Sequence, residues 1–288
     1  MSKSAALRRS ALYLPASNAR ALAKARTLDA DVVILDLEDS VAPDLKADAR
    51  AQAVAAAAEG GFRAPTLVLR VNGLDTPWGA DDMAAAARAQ VDAVLVPKIG
   101  TADAVRQARA ALGAQGPALW AMVETCQALF HLEEMALAAS AARLEAFVVG
   151  LNDLAKEMRA RQTAERTAFL PALTMIVAAA RLGGIAVLDG VCNEIEDKDL
   201  LRAHCEQGVM FGFDGKTLIH PAQIEVCNAV YTPSAEDVAQ ARDVIAAFAL
   251  PENASLGVIR VNGKMTERLH LVQEEQLVAM ADAIAARA

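Results

Sequence analysis

Short apolar runs rich in β-branched residues alternate with alanine-, leucine- and arginine-rich stretches along most of this chain. The runs have the length of strands, and the stretches between them have helix-forming composition and helical spacing of apolar residues. Strands that alternate with helices form a parallel sheet, and eight such units favour a closed (β/α)8 TIM barrel over an open doubly wound sheet. The runs predicted as strands are Ala11–Leu14, Val32–Leu37, Thr66–Val71, Ala93–Val96, Ala118–Val123, Ala146–Gly150, Ile185–Leu188 and Val209–Phe213.

Charged and polar side chains cluster where these runs end. In a TIM barrel the carboxyl ends of the strands share one rim, and active sites lie there. A single Asp or Asn at a strand–helix junction is more simply a helix cap, but six ends that carry charge exceed what capping requires. These ends are Asp36–Asp39, Arg70–Gly73, Pro97–Lys98, Glu124–Thr125, Asn152–Asp153 and Asp214–Lys216.

Two of these residues, Glu124 and Asp153, have the chemistry of a magnesium site. Mg²⁺ takes oxygen ligands, keeps several waters and usually accepts one or two protein carboxylates, which leaves positions open for substrate oxygens. Arg70 ends an earlier strand, and its forked guanidinium suits a substrate carboxylate, which it can bind with two parallel hydrogen bonds. Together the three residues predict metal-assisted chemistry on a small keto or hydroxy acid.

Composition narrows the class of protein. The 288 residues are 55% hydrophobic and 22% charged, which suits one large globular domain with a short tail. A net charge of −8 argues against a nucleic acid or an anionic membrane as partner. The start of the chain lacks the apolar core of a secretory signal, and no stretch reads as a membrane span. We therefore expect a cytoplasmic protein. The four scattered cysteines indicate neither a zinc site nor disulfides, so we expect reduced, mostly buried thiols.

The pattern changes after the last predicted strand. A helix is expected from Ser234 until Pro251 ends it. The pair Asn262-Gly263 then lies between two alternating segments, which predicts a β-hairpin, and a last helix follows. We therefore divide the chain into a barrel, residues 1–230, and a helix–hairpin–helix extension, residues 231–288, that serves as a lid or a subunit contact.

Short motifs follow one another in order across nearly the whole chain, namely Arg9–Pro15, Leu35–Val41, Lys46–Arg50, Arg70–Asn72, Pro97–Lys98, Glu124–Thr125, Gly150–Leu154, Gly212–Lys216 and Ile219–Pro221. In these motifs the chain resembles the citrate lyase β-subunit-like branch of the HpcH/HpaI aldolase superfamily, including its citramalyl-CoA and malyl-CoA lyases. The resemblance implies a TIM barrel with Mg²⁺ bound by Glu124 and Asp153, and with Arg70 on the carboxylate or carbonyl of a 2-keto acid. It also implies a reaction, in which a 3-hydroxyacyl-CoA is cleaved into acetyl-CoA and a 2-keto acid or is formed from them.

The resemblance implies further site residues. Glu38 and Asp39 are expected to orient metal-bound water or neighbouring donors, with a structural network of rim carboxylates as the alternative. The phosphates of CoA need cations, and the basic N-terminal segment makes Arg9, and next Arg20, the candidates to meet them. The full set of expected substrate and CoA contacts is Arg9, Arg70, Glu124, Asn152, Ile219 and His220; a structural histidine is the equal alternative for the last.

The C-terminal hairpin departs from the family's pattern. In the lyases of this family Gly-Lys-Met usually leads, two residues on, to an Asp soon followed by Pro, and that Asp, often from a neighbouring subunit, acts in proton transfer. Here Gly263–Met265 is followed by Thr266 and Glu267, and the proline is missing. We expect Glu267 to be functional, with a longer side chain that changes the substrate, shifts acid–base duty or marks a weak lyase. An acid that acts across a subunit boundary implies an oligomer, and the resemblance suggests a homotrimer or hexamer.

Three alternatives stay open. A Schiff-base aldolase would use Lys98 or Lys216 as a desolvated nucleophile, although two metal-competent carboxylates argue against it. A citrate lyase β subunit would act on acyl-carrier-protein thioesters rather than on CoA. A non-catalytic metabolite-binding homologue would have no need of Arg70, Glu124 and Asp153. The keto acid itself, whether glyoxylate, pyruvate or oxaloacetate, depends on pocket volume.

Overall fold

A closed barrel of eight parallel strands forms the larger part of the chain, as predicted. The computed structural model describes residues 6–287. Its barrel strands pair in chain order, and the last pairs with the first, so the sheet has no free edge. The strands are β1 (Ser10–Pro15), β2 (Val32–Asp36), β3 (Thr66–Arg70), β4 (Ala93–Val96), β5 (Ala118–Val123), β6 (Leu144–Val149), β7 (Ala186–Asp189) and β8 (Gly215–Leu218).

Helices connect the strands and cover the outside of the barrel. Several begin at a side-chain cap; Thr101 and Thr125, for example, each accept a hydrogen bond from the backbone N–H three residues on. The helices are α1 (Ala19–Ala25), α2 (Lys46–Glu59), α3 (Gly79–Ala86), α4 (Ala102–Leu112), α5 (Cys126–Phe130), α6 (Leu132–Leu137), α7 (Ala139–Ala142), α8 (Leu151–Met158), α9 (Leu170–Gly183), α10 (Lys198–Phe211) and α11 (Ile224–Tyr231).

The barrel strands are buried on both faces, which explains their nearly continuous apolar sequence. Alternate residues point into the barrel, where Ile34, Leu95 and Trp120 belong to an inner cluster. The residues between them point outward and form a larger cluster with the helices, to which Val33 and Phe147 contribute. Each fully buried side chain of this size stabilises the fold by about 1.5–3 kcal/mol, so the barrel presents a rigid rim to the site.

The prediction for the eighth strand was wrong. Val209 to Phe211 form the last turn of α10, and Gly212 ends that helix at φ 91°, a conformation that favours glycine. The true strand β8 follows and contains Lys216, which is fully buried. Its charge is neutralised by Asp189, 27 residues earlier in the chain. A local apolar pattern cannot reveal such a strand, because the partner that permits the buried charge lies on another strand.

Contacts divide the described chain into two compact units, one of residues 8–231 and one of residues 6–7 with 232–287. The second unit contains the predicted helix–hairpin–helix, with its own small apolar core. The hairpin turns at Asn262 and Gly263, whose φ values of 49° and 82° suit the tight turn that Asn-Gly favours. Its elements are α12 (Ala235–Ala249), β9 (Val258–Val261), β10 (Lys264–Glu267) and α13 (Leu271–Ala285). None of the helices in the described chain has the length and apolar character to cross a membrane.

Candidate active site

A cavity of about 330 Å³ opens at the carboxyl ends of the barrel strands. It has the position that active sites take in TIM barrels. Its wall combines carboxylates, one arginine and apolar side chains contributed by most of the strands. The lining residues are Tyr13, Pro15, Asp36, Asp39, Ser40, Arg70, Met122, Glu124, Val149, Gly150, Leu151, Asn152, Asp153, Val191, Thr217 and Ile219.

Arg70 is held in place by Asp36. The two residues are partners in the register of β2 and β3, so their side chains leave the sheet together. Arg70 donates from Nε and Nη2 to the two carboxylate oxygens of Asp36, each at 2.6 Å. The bidentate hydrogen bonds that we expected for a substrate are therefore made inside the protein, and a substrate can use only the remaining Nη N–H groups. Asp36 lies inside the first predicted rim cluster, but its role was not predicted, because it depends on strand register.

Glu38 and Asp39 lie on the other side of the Arg70 guanidinium. Nη1 of Arg70 is 2.8 Å from Glu38 Oε2 and 3.6 Å from Asp39 Oδ2. Burial raises the pKa of Glu38 to about 8, against the opposing effect of Arg70 and with a further contribution from Asp39. Lys46 donates from Nζ to the backbone oxygens of Leu37 and Glu38, which fixes the loop that carries both acids. Glu38 is thus a buried carboxyl group suited to carry a proton near neutral pH.

Glu124 is positioned by two backbone features. Its Oε1 accepts a hydrogen bond of 2.7 Å from the backbone N–H of Lys98, and Lys98 has a left-handed φ of 54°. Its Oε2 lies against Gly150, where a Cβ atom would stand only 2.3 Å away. Burial raises the pKa of Glu124 to about 7, with a further contribution from the nearby charge of Asp153. Asp153 lies in the first turn of α8 and lines the same cavity.

These two carboxylates fit the demands of Mg²⁺. Within residues 6–287, no group of three or more His, Cys, Asp or Glu side chains is arranged to hold a metal ion. A cation here would therefore rely on Glu124, Asp153 and oxygen atoms of water or substrate, which is the coordination that Mg²⁺ commonly accepts. The mutual repulsion that helps to raise the pKa of Glu124 is what a bound cation would relieve.

The two lysines considered as Schiff-base nucleophiles are unsuited to that role. Burial favours the neutral amine of Lys98, but Glu38 and the neighbouring carboxylates outweigh it and raise its pKa. Lys216 is completely buried and donates to Asp189 Oδ2 at 2.8 Å and to the backbone oxygen of Gly190. A Schiff-base lysine must instead be neutral and reach the substrate.

The other predicted contacts have different surroundings. Asn152 and Ile219 line the cavity, whereas His220 caps the short helix that follows by accepting from the backbone N–H of Ala222. Arg9 is a correction: it precedes β1, at the end of the barrel opposite the cavity, and is 6% exposed. Its Nε and Nη2 donate to Asp31 at 2.8 and 2.9 Å, so it stabilises the barrel instead of presenting its charge to CoA. Glu267 is exposed at the end of β10 in the C-terminal unit.

The sequence matches the model of the HpcH/HpaI aldolase/citrate lyase family over residues 9–221. The chain belongs to this family. It is therefore an enzyme of a carbon–carbon lyase family, in agreement with the prediction.

Two curated relatives and one solved structure are similar to this chain over nearly its full length. A (3S)-malyl-CoA thioesterase of Cereibacter sphaeroides is 46% identical over 278 residues, 96% of each chain. An L-malyl-CoA/beta-methylmalyl-CoA lyase of the same species is 33% identical over 303 residues, 96% of this chain and 95% of the lyase. The structure of CitE from Mycobacterium tuberculosis with magnesium, acetoacetate and coenzyme A is 29% identical, with a TM-score of 0.78 over 97% of this chain and 100% of that chain. The thioesterase is a relationship that the sequence motifs did not suggest.

Proposed function

We propose that this enzyme uses Mg²⁺ to cleave a 3-hydroxyacyl-CoA, of the malyl-CoA or citramalyl-CoA type, into acetyl-CoA and a 2-keto acid. One observation carries the proposal: Glu124 and Asp153 line a small cavity together with the buried Arg70. That wall suits the hydroxy-acid end of such a substrate, which carries one carboxylate and one hydroxyl group. The magnesium-containing CitE structure and the malyl-CoA lyase relative support the same assignment.

The bond changes follow from the substrate. The hydroxyl group loses its proton and becomes the carbonyl of the keto acid, the neighbouring carbon–carbon bond breaks, and its electron pair passes to the acetyl thioester. That carbanion equivalent then takes up a proton to give acetyl-CoA. When bound, Mg²⁺ would polarise the hydroxyl and carboxylate oxygens. The remaining Nη groups of Arg70 bind the carboxylate, and Glu38, with a pKa of about 8, exchanges a proton with the reacting hydroxyl group.

Hydrolysis of the same thioester is the second candidate function. The observation that favours it is the 46% identity to a (3S)-malyl-CoA thioesterase over nearly the full length of both chains. In that reaction water adds to the thioester carbonyl, the carbon–sulfur bond breaks, and CoA leaves as the thiol. The hydroxy-acid end would be bound by the same wall, so the two candidates share a substrate and differ in the bond that breaks.

The acid of the C-terminal hairpin separates the two candidates. A lyase must protonate the acetyl fragment, and Glu267 is the acid that the hairpin offers for this step. A thioesterase has no carbanion to protonate. We expect Glu267→Gln to lower carbon–carbon cleavage by at least about 10²-fold while Glu267→Asp retains most of it. Equal cleavage rates for Glu267→Gln and the unchanged enzyme would remove Glu267 from the mechanism.

The decisive experiment follows both bonds at once. Purified enzyme is given malyl-CoA, citramalyl-CoA or citryl-CoA with Mg²⁺, and again with a chelator, while free thiol and free keto acid are measured together. Keto acid without thiol identifies the lyase, and thiol without keto acid identifies the thioesterase. Release of neither product would contradict both candidates. Glu124→Gln is the matched control, because it keeps the shape of the side chain and removes a metal-binding charge.

Two further expectations belong to this proposal. Among the cations considered for CoA, Arg20 is exposed in the first turn of α1, directly after the rim end of β1, and is the better candidate now that Arg9 is paired. A homotrimer or hexamer is expected if Glu267 acts on a neighbouring subunit, and light scattering measures this directly. Co-purification of an acyl carrier protein would instead favour the citrate lyase subunit.

A further inference from the structure

Tyr13 carries a buried hydroxyl group without a partner in the wall of the candidate active site. Its side chain packs with the inner cluster of the barrel, and the residue lines the cavity. The hydroxyl oxygen is shielded from solvent and has no hydrogen-bond partner within residues 6–287. A buried hydroxyl group normally finds a partner, and one without any costs free energy. A ligand atom is a natural partner for such a group in a cavity wall.

The surroundings of Tyr13 make its hydroxyl group a donor. The guanidinium of Arg70 lies over the ring, 4.6 Å from its centre. Burial raises the pKa of Tyr13, Arg70 opposes this, and the carboxylates of Asp36 and Glu124 add to the rise. The phenol therefore keeps its proton at any working pH and can donate to an anion.

The guanidinium of Arg70 has few donors left for a substrate carboxylate. Asp36 occupies the Nε and Nη2 edge of Arg70, and Glu38 lies 2.8 Å from Nη1. An anionic ligand that enters the cavity must find further donors beside Arg70. Tyr13 is the cavity residue whose ring the guanidinium already covers.

We propose that the Tyr13 hydroxyl donates a hydrogen bond to an oxygen of the 2-keto acid half of the substrate and thereby helps to select the acid. This inference rests on the proposed function, because it takes its ligand from it. The cavity of about 330 Å³ suits a small acid, and Tyr13 shares its wall with Arg70 and Met122. A hydrogen bond to a charged oxygen in such a site contributes more than one between neutral groups.

The chain supplies its own control. It has two tyrosines, Tyr13 and Tyr231, and the hydroxyl of Tyr231 is also buried without a partner within residues 6–287. Tyr231 lies outside the cavity wall, packed against Gly208, where a Cβ atom would meet its oxygen at 2.1 Å. Removing either oxygen leaves the ring and deletes an unsatisfied group, so neither change should destabilise the protein.

The test compares Tyr13→Phe with Tyr231→Phe. The melting temperature of each variant is measured first, and then the dissociation constants of glyoxylate, pyruvate and oxaloacetate in saturating Mg²⁺. We expect melting temperatures equal to or above that of the unchanged protein for both variants. We expect roughly 10- to 100-fold weaker binding of the preferred acid for Tyr13→Phe alone, and unchanged binding for Tyr231→Phe.

The outcomes separate this inference from the proposed function. If the unchanged protein binds a keto acid and Tyr13→Phe binds it equally well, the role of Tyr13 is refuted while the proposed function stands. If the unchanged protein binds none of the three acids, both are refuted. A lower melting temperature for Tyr13→Phe would show that the hydroxyl has a structural partner, which also contradicts the inference.

Discussion

Two buried arginine–aspartate clusters lie at the rim of the same barrel and differ in their balance of charge. In one, Arg70 binds Asp36 and is also approached by Glu38 and Asp39, so carboxyl groups are in excess. In the other, Asp189 at the end of β7 accepts from Arg166 Nη1 and from Lys216 Nζ, each at 2.8 Å, so cations are in excess. The first cluster lines the cavity, and the second is closed off from solvent.

The difference is the one expected between a functional site and a structural cluster. A buried charge is costly, so each charge in a cluster that serves only the fold should be hydrogen-bonded to a partner of opposite sign. Lys216 and Arg166 lower the pKa of Asp189 despite its burial, and Lys216 also holds the backbone oxygen of Gly190, beside the cavity. The carboxyl group of Glu38, beside Arg70, shows the opposite shift, because burial raises its pKa to about 8. Carboxyl groups kept in that state are prepared for a cation and for proton transfer.

The largest effect is expected when the second cluster, Asp189 with Arg166 and Lys216, loses its carboxylate; we call it the scaffold cluster. Asp189→Asn leaves Arg166 and Lys216 without a carboxylate partner in the described part of the chain, and we expect a loss of about 3–5 kcal/mol in the free energy of unfolding. Asp36→Asn is the matched change in the other cluster, and its loss should be smaller, about 1–2 kcal/mol, because the charge of Asp36 helps to raise the pKa of Glu38 and its removal lets Glu38 ionise beside Arg70. Urea unfolding of both variants checks this. Equal losses would contradict the distinction between the clusters.

The second prediction displaces Glu124 without changing it. Gly150→Ala adds a Cβ atom 2.3 Å from Glu124 Oε2 and 2.5 Å from its Cβ atom, so the carboxylate must move. A displacement of about 1 Å can cost about 10²-fold in rate, and we expect kcat/KM to fall by at least that factor together with weaker Mg²⁺ binding. Gly257→Ala is the control, since a Cβ atom there meets open space. Full activity of Gly150→Ala would show that the position of Glu124 is unimportant.

The sequence was sufficient to predict the barrel and part of the cavity wall. Strand ends mark the rim whatever the register, so Glu124, Asp153 and Arg70 could be placed there from local pattern alone. The pairing of Arg70 with Asp36 could not, because it requires the register of β2 against β3. The pairing of Arg9 with Asp31 could not be predicted from local pattern either, since the two residues lie 22 positions apart in the sequence.

The scaffold cluster could not be predicted either, because its charges are compensated by residues far apart in the sequence. Lys216 interrupts an apolar strand, so the apolar run at the end of α10 was a better local match. Only the closed sheet brings Asp189 beside Lys216 and makes the buried charge acceptable. Local sequence pattern therefore mispredicts this fold at a strand that contains a charged residue.

The third prediction uses pH to separate the clusters. The raised pKa of Glu38 means that the folded state holds a proton that the unfolded chain has released, so stability falls as pH rises from about 4.5 to about 8. The lowered pKa of Asp189 acts oppositely: its contribution is complete above about pH 4 and is lost only as pH falls below that. Burial lowers the pKa of His204, so its contribution to stability rises with pH in the lower part of the same range. Only the difference in slope between a variant and the unchanged protein therefore isolates a cavity residue.

Urea unfolding in a chelator between pH 5 and 8 measures that slope. Glu38→Gln should flatten it by up to about 1.4 kcal/mol per pH unit, which is the contribution of one proton. Glu206→Gln removes an exposed glutamate from α10 and serves as the control. A slope that Glu38→Gln leaves unchanged would rule out a proton on Glu38 in the folded protein.

The smallest expected effect concerns an arginine–aspartate pair that is exposed. Arg242 Nη2 lies 2.7 Å from Asp282 Oδ1 and joins α12 to α13, with side chains 59% and 61% exposed. Water already solvates both charges, so the pair gains little, and Asp282→Asn should change the free energy of unfolding by less than about 1 kcal/mol. High salt should reduce even that difference. A loss comparable to that of Asp189→Asn would mean that burial does not set the value of these pairs, and the contrast between the two rim clusters would then need another cause.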